Sequence, residues 1–375
     1  MTSAEDSFDF AIVGAGIAGA SVAAEIAPDA RVVLLEAEDT PGYHATGRSA
    51  AFWTETYGGL GIQPLTTASF DFLHAPPADF SERGFLTERG AIHIADADAE
   101  PALASFAAEF NDSGLPLHAI DRSEIEQRVP GIKPGWNKAI SEPQCADIDV
   151  AALHQAYLSA ARRRGVELRC GARVIGAKRD EVGWDIATAR GDFRAGVIVN
   201  AAGAWADHVA SLAGVDPVGI VPYRRTILQL RVDPAVPAAL PLVIDALGRF
   251  YFKGESEGRI WLSPHDETAT SPGDAAPEEI DIAVAIDRLQ KAVDWRIEAV
   301  ERKWAGLRSF APDRLPVYGY DKRVEGFFWC AGQGGFGIQT APAAAQLCKA
   351  LIGDGNTEAV PSSIDPALYR PDRFR

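Results

Sequence analysis

The chain has 375 residues, with 36 Lys and Arg against 52 Asp and Glu, and a formal net charge of −16. Its length is enough for a large core and suits two domains. The acidic balance argues against a nucleic-acid partner, because binding phosphates needs a cationic footprint.

The acidic start, Met1 to Asp9, has neither the basic stretch nor the apolar run of a secretory leader. Phe10–Val13 reads as a strand. Gly14-Ala-Gly-Ile-Ala-Gly19 then opens an Ala-rich helix to about Ala27, and Arg31–Glu36 is a second strand, so the opening is a β-α-β unit. Residues 40–63 read as loop, and residues 76–145 as mixed, with a helical stretch near 100–110. Asp149 to Arg164 is an amphipathic helix stopped by Gly165. Residues 166–199 alternate like strands and run into Asn200-Ala-Ala-Gly-Ala-Trp205. Residues 218–265 predict an antiparallel sheet and 277–300 a helix. Phe327–Cys330 is a last strand, followed by Gly332-Gln-Gly-Gly-Phe-Gly337 and a helix from about Thr340 to Ile352.

No apolar run approaches the ~18 residues that cross a bilayer. Cys145, Cys170, Cys330 and Cys348 are scattered and form no CxxC pair, so they read as buried reduced thiols rather than a disulfide frame or metal site. The cytoplasm is the expected address. His44, His93, His118, His154, His208 and His265 show no ligand spacing, and no metal is expected.

The glycine motif carries the first chemistry. Gly14 permits the tight turn, Gly16 lets a pyrophosphate approach the backbone, and Gly19 lets helix and strand pack closely. The helix N-terminus then favours the phosphate charge. Glu36, at the end of the second strand, is placed to hold the adenosine ribose. FAD and NAD share this fingerprint. Two more strand-to-glycine turns, at Asn200–Gly203 and Cys330–Gly335, favour a large flat group, and the second leads into a helix that can stabilise negative charge on a reduced isoalloxazine.

Together with Pro41–Ala51, Asn200–Trp205, Trp304–Phe310 and Gly332–Thr340, these motifs resemble the FAD-dependent amino-acid oxidoreductases of the D-amino acid oxidase and glycine/sarcosine oxidase superfamily, and within it the bacterial D-arginine dehydrogenases. The resemblance implies an α/β (α+β overall) fold, in which a Rossmann-like FAD-binding domain carries a second domain built on an antiparallel β-sheet. Residues 1–85, 145–215 and 305–375 would form the first, and 86–144 with 216–304 the substrate-binding second. It assigns Gly14, Gly16, Ile17, Ala18, Gly19, Glu36 and Ala37 to noncovalent FAD, and Ala45, Thr46, Gly47, Arg48, Ser49, Ala50 and Ala51 to a loop beside the flavin. Val174 falls near the adenine. Ala202, Gly203 and Trp205 follow the middle strand, and Gly334, Gly335, Phe336, Gly337, Ile338 and Gln339 lie along the flavin's pyrimidine edge.

The same resemblance places Arg225 and Arg308 on a substrate carboxylate, with Tyr251 assisting. Tyr57 and Thr54 fall in a mobile lid over residues 52–61, and the Gly335 carbonyl faces the substrate amine, with Gln339 beside it. Arg225 follows Arg224 in a strand, so one of the two faces inward and the other outward. Where the D-arginine enzymes have a glutamate and a histidine, this chain has Ala91 and Phe52, with Glu88 close by. Phe52 and Trp53 suggest an apolar pocket. Trp261 falls where oxidases of the superfamily have an oxygen-activating lysine, and no cysteine falls near Gly306 for covalent flavin attachment. The expected activity is oxidative deamination of a D-amino acid by a dehydrogenase, with an N-methyl amine or 2-hydroxy acid as the alternative substrate. The electron acceptor, quinone or oxygen, and the oligomeric state are left open.

Overall fold

A computed structural model describes residues 7–353, 355, 357–358 and 360–374; the acidic lead Met1–Asp6 lies outside the described residues. The opening unit is β1 (Ser7–Val13), α1 (Ile17–Ile26) and β2 (Val32–Leu35), and β1 and β2 pair in parallel. The rest of the chain adds α2 (Val150–Arg163), β3 (Gly191–Asn200), β4 (Val221–Asp233), α3 (Glu279–Ala292), β5 (Arg296–Phe310), β6 (Phe327–Ala331) and α4 (Ala341–Ile352). Among the described residues the strands form three sheets, of eight, ten and three strands, and no helix is long and apolar enough to cross a membrane.

The eight-stranded sheet sets β2, β1, β3 and β6 side by side, all parallel. An antiparallel flap, Val174–Arg179 with Trp184–Thr188, extends it beyond β3. Parallel strands buried on both faces need continuous apolar runs, which β2 (VVLL) and β6 (FFWCA) supply. α1, α2 and α4 cover one face through Ala20, Ala23, Tyr157, Leu158 and Leu347. α1 fits so closely because a side chain on Gly19 would collide with the Gly14 carbonyl oxygen, while Gly14 itself sits at φ +102.

The ten-stranded sheet is built on the long antiparallel pair β4 and β5, which continues through Arg259–Ser263, Tyr251–Glu255, Leu242–Asp245, Ala91–Ala95 and Lys138–Glu142. Its residues alternate between two faces. Leu228, Leu230, Phe252 and Leu262 lie on one face, with Ile282 and Leu289 of α3. Arg225, Ile227, Tyr251, Trp261 and Ala91 lie on the other.

The expected helix over 277–300 stops at Ala292. Val293 is already extended, and residues 296–300 begin β5, because a strand there completes the ladder with β4. β5 runs unbroken through residue 305, the expected edge of the cofactor segment, and at Ser309 and Phe310 it pairs with Gly334 and Gln333. The loop expected over 40–63 contains a short helical turn at Thr46–Arg48 and a two-residue strand at Phe52–Trp53. Of the cysteines, Cys145, Cys330 and Cys348 are buried but Cys170 is only half-buried.

Phe328 of β6 is fully buried, with its ring 5.2 Å from that of Tyr320. Phe328→Ala is expected to cost about 3–5 kcal/mol and to lower the urea midpoint. A loss below ~1 kcal/mol would place Phe328 outside the working core.

Candidate active site

The C-terminal ends of β1, β3 and β6 open into one cavity of about 300 Å³, which reaches across to the pocket face of the larger sheet. Gly14, Gly16, Ile17 and Ala18 line its first end, where α1 begins with no acidic residue in its first turn. The Ile17 N–H donates to Thr46 Oγ1 at 3.0 Å, which ties the following loop to the helix N-terminus. Glu36 is buried and accepts from the Ala15 and Glu38 N–H groups, both at 2.9 Å. These bonds fix the carboxylate and leave it further lone pairs. Ala37, Ala45, Arg48, Ser49, Ala50, Val174, Ala202, Gly203 and Trp205 form the middle of the wall. Gly334, Gly335, Gly337, Ile338, Arg225 and Arg308 close the far end.

An acid-free helix N-terminus, a fixed carboxylate one strand away and a glycine-walled channel between them fit a dinucleotide. His44 also lines this channel, 4.6 Å from the Trp205 ring, with its Nδ1 buried and unpartnered among the described residues. The glycine fingerprint gave no hint of His44.

Other expected residues stand behind the wall. Gly19 and Gly47 serve packing, and Ala51 is set back from the cavity. Phe336 turns its ring toward Tyr57 and Phe310, each 5.9 Å away. Gln339 is buried; its amide nitrogen contacts the Thr54 and Tyr57 carbonyls and Thr66 Oγ1, and its oxygen accepts from the Thr54 N–H at 3.4 Å. The segment 54–57 is therefore pinned rather than a free lid, and Thr54 is buried. Beyond it, Gly58 and Gly59 take φ of +100 and +74.

Tyr57 carries its hydroxyl onto Arg308 Nη1. A side chain on Gly335 would strike that hydroxyl, so the bare backbone of Gly335 faces the same point. Arg225 is buried, with Nε donating to the Asp266 carbonyl at 2.7 Å and Nη2 to Glu267 Oε1 at 3.0 Å, while Nη1 has no partner among the described residues. Burial and the neighbouring Arg308 guanidinium push Arg225 below its ordinary value. Two guanidinium groups side by side, one with an unpaired donor, match the geometry of carboxylate recognition. The strand alternation expected for Arg224 holds, but its outward face is not solvent. Arg224 is buried under α3, paired with Glu278 and with Asp281 at 2.8 Å.

Tyr251 is buried with its hydroxyl unpartnered among the described residues, and its ring meets Phe52 edge-on at 6.3 Å and His265 at 5.7 Å. Ala91, Ile227 and Leu242 share its apolar cluster, with Phe52, Trp261 and Trp304 packed against it. Trp53 is not among them: its indole N–H donates to the Thr66 carbonyl and its ring packs on Phe70, because adjacent strand residues face opposite ways. Glu88 is exposed, so it does not restore the acid missing at Ala91. Trp261 has a lysine beside it after all. Lys253 Nζ lies 4.6 Å from the Trp261 ring centre and is held by Asp147 at 2.9 Å. No cysteine among the described residues lines the cavity.

His265 and Glu267 carried no sequence signal, since only the fold brings them to Arg225. His265 has φ +55, and its Nδ1 lies 2.7 Å from the Gly248 carbonyl. A carbonyl only accepts, so Nδ1 carries the proton and Nε2 keeps its lone pair. Burial, then Arg225 and Arg308, lower its pKa to about 3.

A model of the family described as FAD dependent oxidoreductase, DAO, matches residues 9–351. A glycine oxidase of Pseudomonas aeruginosa is 27% identical over 390 residues, covering 96% of this chain and 97% of that one. The mitochondrial dimethylglycine dehydrogenase of Homo sapiens is 26% identical over 97% of this chain, which spans only 45% of that protein's length. The crystal structure of glycine oxidase from Geobacillus kaustophilus superposes with a TM-score of 0.83 at 23% identity, covering 97% of this chain and 98% of that one.

The depressed His265 value has a measurable consequence. Between about 3 and the ordinary 6.5, the unfolded chain binds a proton that the folded chain refuses. This contribution to stability is complete above 6.5 and is lost as pH falls through that window. Unfolding free energies from urea titrations between pH 6.5 and 5 should therefore fall less steeply in His265→Asn than in wild type, by up to ~1.4 kcal/mol per pH unit. Parallel slopes would show that His265 protonates freely in the folded state.

Proposed function

The chain belongs to the FAD dependent oxidoreductase (DAO) family, and from that premise we propose that it oxidatively deaminates a D-amino acid with an apolar or aromatic side chain. The pairing of Arg225 with Arg308 carries the proposal. Two guanidinium groups at the end of a dinucleotide channel, one with an unpaired Nη1, call for a small carboxylate. Tyr57 and Tyr251 add hydroxyls around that point. Phe52, Ile227, Leu242 and Ala91 support an apolar side-chain pocket.

When bound, FAD supplies the two-electron acceptor for the hydride leaving the substrate Cα. The protein's share is orientation and exclusion of water. In this reading Arg225 and Arg308 hold the carboxylate, and the bare Gly335 backbone beside Tyr57 and Arg308 faces the amine. The amine enters neutral, its lone pair forms the C=N bond as the hydride departs, and water converts the imino acid to a 2-oxo acid and ammonia. No strong side-chain base is needed, in keeping with a His265 held neutral. We propose that FAD is noncovalent, since no cysteine among the described residues lines the cavity. We also propose a dehydrogenase, since Lys253 is tied to Asp147 between the Phe52 and Trp261 rings and is not part of the channel wall. The discontinuous two-domain division, with β5 shared between them, is likewise our reading.

A second reading, oxidation of an N-methyl amine, is favoured by the similarity to dimethylglycine dehydrogenase. It uses the same carboxylate clamp.

Anaerobic mixing of the FAD-loaded protein with D-phenylalanine, D-leucine, D-arginine, L-leucine, glycine, sarcosine, dimethylglycine and a 2-hydroxy acid separates the readings. The apolar D-amino acids are expected to bleach the flavin fastest, and bleaching by sarcosine or the 2-hydroxy acid alone would replace the proposal. Arg308→Met is expected to raise KM at least ~10-fold, as loss of a charge-assisted hydrogen bond requires. Unchanged kinetics would remove Arg308 from the carboxylate site.

A further inference from the structure

The segment that carries Tyr57 is held on its other side by a buried acid the mechanism does not use. Glu142 ends the strand Lys138–Glu142 and pairs with Ala91 on the pocket face of the larger sheet. It is 3% exposed. Its Oε1 accepts from Thr54 Oγ1 at 2.8 Å and from the Glu55 N–H at 3.0 Å. Its Oε2 accepts from Thr56 Oγ1 at 2.7 Å and lies 3.2 Å from His93 Nε2. Burial would raise the pKa of this carboxyl, but the bonds from His93, Thr56 and Thr54 outweigh it and leave the group below the ordinary range.

A carboxylate accepting from three successive residues fixes their backbone as well as their side chains. The next residue is Tyr57, whose hydroxyl sits on Arg308. Gln339 grips the same segment from the cofactor side. Glu142 and Arg308 belong to the same sheet, so the clamp sets the height of Tyr57 above that sheet and with it the orientation of the guanidinium.

We propose that Glu142 is a positioning residue for carboxylate binding, acting through Tyr57 on Arg308. This rests on the carboxylate role given to Arg308 above. Replacing Glu142 with glutamine removes the charge and turns one acceptor into a donor, so the charge-assisted bonds weaken and Thr56 Oγ1 and His93 Nε2 must reverse their roles to meet it. The segment then loses its fixed height while the arginines remain.

The test uses benzoate, an aromatic carboxylate with no amine to oxidise, titrated into the FAD-loaded protein and followed by flavin absorbance. Glu142→Gln is expected to raise the benzoate Kd at least ~5-fold, and Thr56→Val, which removes a single donor, to raise it in the same direction by less. In a Tyr57→Phe background the Glu142→Gln effect should shrink below twofold, because its route is gone. A merely structural role would leave the effect undiminished in that background, and would overturn the inference. If Tyr57→Phe and Arg308→Met weaken benzoate but Glu142→Gln and Thr56→Val do not, the positioning role alone fails. If Arg308→Met has no effect, or benzoate leaves the wild-type spectrum unchanged, the carboxylate site itself is wrong and the inference falls with it. Should Glu142→Gln not fold, Thr56→Val alone and in the Tyr57→Phe background decides.

Discussion

Two like charges held close together in a partly dry space are unstable unless something negative or polar meets them, and that constraint organises this protein. Arg225 and Arg308 stand on neighbouring strands of one sheet, two residues out of register. The fold answers part of their demand with the Asp266 carbonyl, the Glu267 carboxylate and the Tyr57 hydroxyl. Arg225 Nη1 is left without a partner among the described residues. Desolvated guanidinium groups discriminate strongly for planar anions, since the alternative is an unpaired buried donor.

The rest of the architecture delivers that pair to the end of a dinucleotide channel. The parallel sheet gives the channel its helix N-terminus and its fixed acid, Glu36. The antiparallel sheet gives it a second wall, with the arginines at the channel's end and the apolar cluster around Tyr251 close to them. A rigid scaffold of this kind suits chemistry in which the protein mainly orients the reactants.

How much of this could be read from the chain varied with the range of the interaction. GAGIAG and the acid at the end of β2 are local, so strand, turn, helix and Glu36 were all legible in order. The α2 helix was legible with its Asp149 start and Gly165 stop. The helix end at Ala292 was not, because the charged run that follows suits a solvated helix as well as a strand, and only pairing with β4 decides it. For Arg224 the limit was similar: alternation gives the face but not what covers it, and α3 covers it here. Trp53 was placed in the pocket by proximity to Phe52, although neighbours in a strand point apart. Glu142, His265 and Glu267 lie far in sequence from the residues they touch, and no spacing connects them.

β5 has a mechanical consequence. It pairs along its length with β4 in the substrate-side sheet, then at Ser309 and Phe310 binds the Gln333–Gly334 turn that leads into α4. Cofactor wall and arginine wall are thus stitched by one continuous strand, whose pairing with β4 shifts register only at the end far from the arginines. The halves cannot swing open like jaws around this seam without tearing backbone hydrogen bonds. Access to the channel is thus left to smaller movements, and directly after Tyr57 the chain passes through Gly58 and Gly59, which adopt turns that few other residues tolerate.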